Sequence, residues 1–286
     1  MAKTSNYKSF AYLENGEIQF AQYETEKTTS ILDAGSYTID YDEYPVNKVS
    51  LKIDECSETV KTHTFLEKER LDYLFESFFN PNVKNKIEGL GFYHKVGILL
   101  HGKEGTGKST IMKYYYNQAI IHNQAIVFHL LKKNSYLKSC WDFIMNIRKI
   151  QDNPIIIVLD ELDGYVDGST MEALMKTIID GNSSISNCIF FASTNYISKI
   201  PKAIKDRPSR FKYSIEVGGV ENIDSIVEII TPILDGVASD EDIQVYANDL
   251  LGKTLDNIKQ FCFDKIMAIK HYENKSEMKS VGFIVR

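Results

Sequence analysis

The sequence predicts an α/β fold: a five-stranded parallel sheet with helices on both faces, a small β module before it and a helical subdomain after it. Three observations carry this. Five short apolar runs, at residues 96–100, 125–130, 155–159, 188–192 and 213–217, alternate with helical patterns over 110–124, 141–150 and 170–179. Apolar runs without alternation suit strands buried on both faces, as in parallel sheets. Before them, residues 17–23, 36–41 and 48–53 alternate polar and apolar, punctuated by Gly16, Gly35 and Pro45, as short antiparallel strands do. After residue 219, Ile223, Ile226, Val227 and Ile230 share one helical stripe.

Further elements follow. Leu66, Leu71, Leu74, Phe75 and Phe78 fall near helical spacing until Pro81 interrupts the run. This helix is expected to separate the β module from the core. Pro232 is expected to end or kink the 223–230 helix, Ser239 to cap the next, and residues 254–269 to form another amphipathic helix. The resulting division is 1–63, 64–218 and 219–286.

The 286 residues can bury a sizeable core, and a net charge of −6 argues against a globally basic nucleic-acid binder. The N-terminus lacks the basic-then-apolar order of a signal peptide, and no apolar run approaches the ~20 residues that span a bilayer. Cys56, Cys140, Cys188 and Cys262 lie far apart without metal-ligand spacing. Reduced, buried thiols and a cytoplasmic location are expected.

The most specific signal is Gly102-Lys103-Glu104-Gly105-Thr106-Gly107-Lys108-Ser109, which fits G-x-x-x-x-G-K-[ST]. An apolar run precedes it and a helical pattern follows, as that loop requires. Gly102, Gly105, Thr106 and Gly107 let backbone amides wrap phosphates. Lys108 is placed to reach the β/γ-phosphates, Ser109 to ligate Mg²⁺, and Thr110 continues the phosphate-binding turn into the helix. ATP with Mg²⁺ is the expected ligand.

The apolar run 155–159 delivers Asp160 and Glu161 to the sheet's C-terminal edge, where ligands bind in such folds. Asp160 is expected to hold Mg²⁺ from its outer shell, beside the ligating Ser109. Glu161 is placed to orient or deprotonate an attacking water, which tilts the reading from binding towards hydrolysis. A third apolar run ends at Ser193-Thr194-Asn195, placing Asn195 where it can help hold that water.

These blocks, with Arg207-Pro208-Ser209-Arg210-Phe211, occur in the order and spacing of AAA-type ATPases of the AAA+ class. The stretch 177–181 also resembles that family. The resemblance covers residues 92–217 and extends over the helical tail as a lid subdomain. It implies that Asn195 is the sensor-1 residue and that Arg207 and Arg210 reach the γ-phosphate of a neighbouring copy. A finger acting in trans implies a homo-oligomeric ring, usually a hexamer, and the family mostly remodels or assembles protein clients. The client would be recruited through residues 1–63.

Three departures stand out. Lys103 and Glu104 replace prolines usual in the loop, Ser209 replaces a glycine between the arginines, and no clear aromatic-apolar-Gly pore loop follows the second strand. Tyr136 and Trp141 are the weak threading candidates. The alternative is a clamp-loader-like or helicase-loader-like factor, with Lys132, Lys133, Arg148 and Lys149 facing nucleic acid. The adenine is expected to lie near Gly91, Phe92 and Tyr93.

Overall fold

The computed structural model describes residues 9–12, 17–21, 28–29, 31–42, 48–54, 65, 67–130, 137–166, 176, 178–179, 185–205 and 210–280; side chains are described at 31–39, 51–54 and from 65 to 268 within those ranges. Tyr136, Lys132, Lys133, Arg207, Cys56 and most of the expected 170–179 helix lie outside them.

Among the described residues, ten strands form one sheet. In chain order they are β1 (Ser9–Tyr12), β2 (Glu17–Ala21), β3 (Thr28–Thr29), β4 (Gly35–Asp42), β5 (Lys48–Asp54), β6 (Lys95–His101), β7 (Ile126–Leu130), β8 (Ile155–Leu159), β9 (Cys188–Thr194) and β10 (Tyr213–Glu216). Their spatial order is β10-β6-β9-β8-β7-β4-β5-β2-β1-β3. The five expected core strands are parallel and adjacent.

The expected count of five parallel strands falls one short. β4 lies parallel to β7, with Tyr37 opposite Phe128 and Ile39 opposite Leu130. β5, β2, β1 and β3 then continue antiparallel. The N-terminal strands therefore extend the central sheet rather than stacking as a layer of their own. Alternation in the 36–41 stretch gives a strand but not its direction, because side-chain period is 2 in either kind of ladder.

The apolar runs bury both faces as a parallel sheet requires. Ile155, Ile157 and Leu159 face one core with Phe128, Phe190 and Ala192. Ile156 and Val158 face the other with Ile98, Leu100, Val127 and Phe191. The first core is covered by α4 (Leu137–Ile150), whose Leu137, Cys140, Trp141, Ile144 and Ile147 make one stripe. Trp141 is 4% exposed and stacks on Phe190, with ring centroids 6.0 Å apart. It is a core residue, so it does not serve as a threading aromatic.

The second core is covered by α1 (Lys68–Phe79) and α3 (Lys108–Asn123). Pro81 does more than interrupt the first helix. It occupies the first turn of α2 (Pro81–Gly89), where Asn80 accepts from the Asn82 amide.

A short α5 (Lys202–Lys205) precedes β10. Three helices follow: α6 (Ile223–Ile230), α7 (Asp240–Asp249) and α8 (Leu255–Ser280). Asn222 caps α6 through the Ser225 amide, and Ser239 with Asp242 forms a capping box on α7. They enclose a third apolar cluster of Val220, Ile226, Ile230, Leu234, Ile243, Ala247, Leu250, Ile258 and Cys262. Paired bonds between Val220 and the turn, Val220 N–H to Lys253 O and Gly252 N–H to Val220 O, both 2.9 Å, tie this subdomain to the end of the sheet.

Cys140, Cys188 and Cys262 are buried and reduced. Among the described residues no helix is long and apolar enough to cross a membrane.

Candidate active site

β6, β8 and β9 are parallel neighbours, so the loops that leave them emerge at one sheet edge. There, a cavity of about 240 Å³ is lined by Glu104, Gly105, Gly107, Lys108, Ser109, Thr110, Asp160, Glu161, Ser193, Asn195 and Asp256. Eight of these eleven were expected from sequence; Glu104, Ser193 and Asp256 were not. Gly102 and Thr106, also expected, shape the loop from beneath it.

The loop's curvature has visible causes. A Cβ on Gly102 would lie 2.1 Å from the Val217 carbonyl oxygen, so only glycine lets β6 turn beside β10. Gly107 takes φ +88 at the N-cap of α3. Thr106 is buried and its hydroxyl donates to Lys103 O at 3.0 Å.

Lys108 is 6% exposed, and its ammonium donates to Gly102 O at 2.9 Å and Lys103 O at 2.7 Å. The loop thus satisfies its own cation at the place where phosphate oxygens would be met. Burial lowers the Lys108 pKa, opposed by the nearby Asp160, Glu104 and Glu161.

Asp160 joins two elements. One carboxylate oxygen accepts from the Ser109 hydroxyl at 2.9 Å, and the other accepts from the Ser193 hydroxyl. Ser193 Oγ in turn accepts the Glu161 amide at 3.1 Å. Glu161 has φ +55, uncommon for a residue with a Cβ, and this kink carries its side chain onto the cavity. Ser193 was legible only as part of a strand end; Leu159 pairs with Ala192, which puts Asp160 and Ser193 side by side.

These residues fit magnesium. A hydroxyl and a carboxylate held 2.9 Å apart are hard oxygen donors, the kind Mg²⁺ takes alongside phosphate and water. Among the described residues no group of three or more His, Cys, Asp or Glu side chains is arranged to hold a metal by itself, so phosphate oxygens would complete the shell.

The Asn195 turn is fastened from two sides. The buried Thr194 hydroxyl donates to Asp163 at 2.7 Å and accepts the Tyr196 amide at 3.0 Å. The Tyr196 hydroxyl donates to Glu104 at 3.2 Å, and that bond raises the phenol's pKa. From the helical subdomain, the Asp256 amide donates to Gly105 O at 3.0 Å. The first turn of α8 is thereby set against the phosphate loop.

Three expectations sit elsewhere. Gly91, Phe92 and Tyr93 precede β6, roughly 20 Å from the phosphate loop along a seven-residue strand. They are at the wrong sheet edge for adenine, because sequence proximity to a strand does not say which end it serves. Glu67 does reach the correct edge, accepting the Glu216 amide at 3.0 Å.

Arg210 is outside the cavity. It precedes β10 by three residues, near the opposite edge, 5% exposed, with its guanidinium donating to Ala203 O. Arg148, a candidate for nucleic-acid contact, instead braces loops, donating to Asn153 O at 2.7 Å and pairing with Asp152 at 3.1 Å.

Residues 98–219 match the family model described as "ATPase family associated with various cellular activities (AAA)". Among curated proteins, the chain is 27% identical over 192 residues to the ATPase family gene 2 protein of Saccharomyces cerevisiae, covering 60% of this chain and 24% of that protein. It is 28% identical over 204 residues to Protein CdcH of Halobacterium salinarum, covering 65% and 26%. It is 28% identical over 194 residues to the Cell division cycle protein 48 homolog of Archaeoglobus fulgidus, covering 63% and 26%. The matched stretch spans about a quarter of each of these relatives. Sequence likeness and loop geometry single out the same part of the molecule, and over residues 98–219 the chain resembles the AAA-type P-loop ATPases.

Proposed function

We propose that the chain hydrolyses Mg²⁺-ATP within a ring of its own copies, six by family precedent, and uses the cycle to remodel or assemble a protein client. The observation that carries the hydrolytic part is the convergence of Lys108, the Ser109–Asp160 pair, Glu161 and Asn195 on one cavity.

In this reading the backbone amides of residues 105–110 and the Lys108 ammonium grip the phosphates. Ser109 and Asp160 would hold magnesium, which would screen charge on the phosphate oxygens. Glu161 draws a proton from a water that Asn195 helps to position. The water oxygen bonds to the γ-phosphorus as the bridge to the β-phosphate breaks, leaving ADP and inorganic phosphate. The proton held by Glu161 passes to the products.

Arg210 cannot serve its own Lys108, since it lies near the far end of β10. That supports action on a neighbouring copy, shared with Arg207. Reaching a neighbour would require the guanidinium to leave Ala203 O. Residues 219–286 act as a lid through the Asp256–Gly105 bond, and residues 1–63, joined to the sheet through β4, receive the client. A cytoplasmic setting suits the reduced cysteines.

The test pairs steady-state ATPase assays with light scattering, with and without ATP. Wild type assembles and turns over. Glu161→Gln binds ATP but loses about 10²–10⁴ in rate. Arg207→Ala assembles yet loses about 10³ or more; Arg210→Ala does the same provided its melting curve matches wild type. A monomer hydrolysing at full rate overturns the ring, and a Glu161→Gln variant with normal turnover overturns the water role. Salt-sensitive stimulation by DNA or RNA, with none by protein, overturns the protein client.

A further inference from the structure

Glu104 stands at the crest of the phosphate loop and lines the nucleotide cavity. Its carboxylate accepts from the Tyr196 hydroxyl at 3.2 Å. Tyr196 directly follows Asn195, which lines the same cavity from the turn after β9. The Lys199 ammonium lies over the Tyr196 ring, 4.0 Å from its centre, and steadies it.

The turn bearing Asn195 is thus held in two directions. Thr194 fastens it to Asp163, in the loop that follows β8, and Tyr196 fastens it to the phosphate loop. Tyr196 is 45% exposed, and a bond at an exposed site adds little to folding.

We propose that Tyr196 is a positioning residue for hydrolysis, acting through Glu104 to set Asn195 against the phosphate loop. This rests on the ATPase reading above. Nucleotide binding uses the loop amides and Lys108, which the bond does not touch. Hydrolysis needs a water placed to a fraction of an ångström, and small misplacements are costly in rate. The bond therefore acts on kcat rather than on affinity. It also gives Glu104 a task in a loop position where a carboxylate otherwise faces incoming phosphate.

The experiment measures kcat, KM for ATP, ATP binding and melting temperature in the full chain. Tyr196→Phe lowers kcat about tenfold, with KM within about twofold and melting temperature unchanged. Glu104→Ala loses a comparable factor in kcat, and Glu104→Gln, which keeps an oxygen acceptor, loses less. Adding Tyr196→Phe to Glu104→Ala changes kcat by less than about twofold, because one bond has already gone. Wild-type kcat in Tyr196→Phe, full additivity in the double variant, or a fall in melting temperature parallel to the loss of rate overturns the proposal. A wild type that binds ATP without turning it over rejects the ATPase reading itself.

Discussion

The Ser109 hydroxyl lies 2.9 Å from the Asp160 carboxylate, so the start of α3 and the end of β8 meet at one oxygen pair. Asp160→Asn keeps the shape and an oxygen but removes the charge. Turnover is expected to fall about 10–100-fold, with partial recovery at high magnesium. An ATPase titration against magnesium checks this, and an unchanged magnesium dependence contradicts it.

Glu104, Asp160, Glu161 and Asp256 face the same cavity as the single ammonium of Lys108. ATP stripped of its magnesium brings more negative charge into that setting. Chelation by EDTA is expected to weaken ATP binding about tenfold or more, roughly 1.4 kcal/mol. Titration of a fluorescent ATP analogue with and without EDTA measures it; equal affinities would contradict the charge argument.

A Cβ on Gly97, within β6, would lie 2.2 Å from the Arg210 carbonyl oxygen and 3.1 Å from Phe211 Cα. Both neighbours are backbone and cannot rotate away. Gly97→Ala is expected to destabilise the chain by about 1–3 kcal/mol. Urea unfolding tests this, and a loss below about 0.5 kcal/mol would place it among ordinary surface changes.

Burial lowers the pKa of His94, His101 and His129, despite the opposing pull of Glu88, Glu216 and Asp54 respectively. Their folded-state values lie below the ordinary 6.5 of the unfolded chain. The stability they contribute is present above that pH. It is lost as pH falls through the folded values, because the unfolded chain takes up protons first. Urea midpoints should be level between pH 7 and 8 and drop below about 6.5. A midpoint that rises on acidification would reverse the sign.

The core strands and the phosphate loop were legible because each rests on local pattern. A run such as Ile155 to Leu159 cannot be anything but buried on both faces, and it delivers Asp160 and Glu161 to an edge. Relations across the sheet were not legible. Nothing in Tyr37 or Ile39 announces that β4 runs parallel to β7, and nothing in Ser193 announces Asp160. Asp256 lies some 150 residues beyond Gly105 in the chain and reaches it only through the fold. Arg210 was read from a motif that gives the residue and not its rotamer; burial against Ala203 O is decided by packing.

Because β4 lies beside β7, it covers the backbone groups of residues 126–130 that would otherwise end the parallel sheet. A chain shortened to begin at Phe65 would keep every residue of the nucleotide cavity and still present a bare strand edge. Such an edge recruits strands from other molecules. The shortened protein should aggregate before it can be assayed, so β1 to β5 behave as solubility hardware for the sheet that carries the site, whatever else they bind.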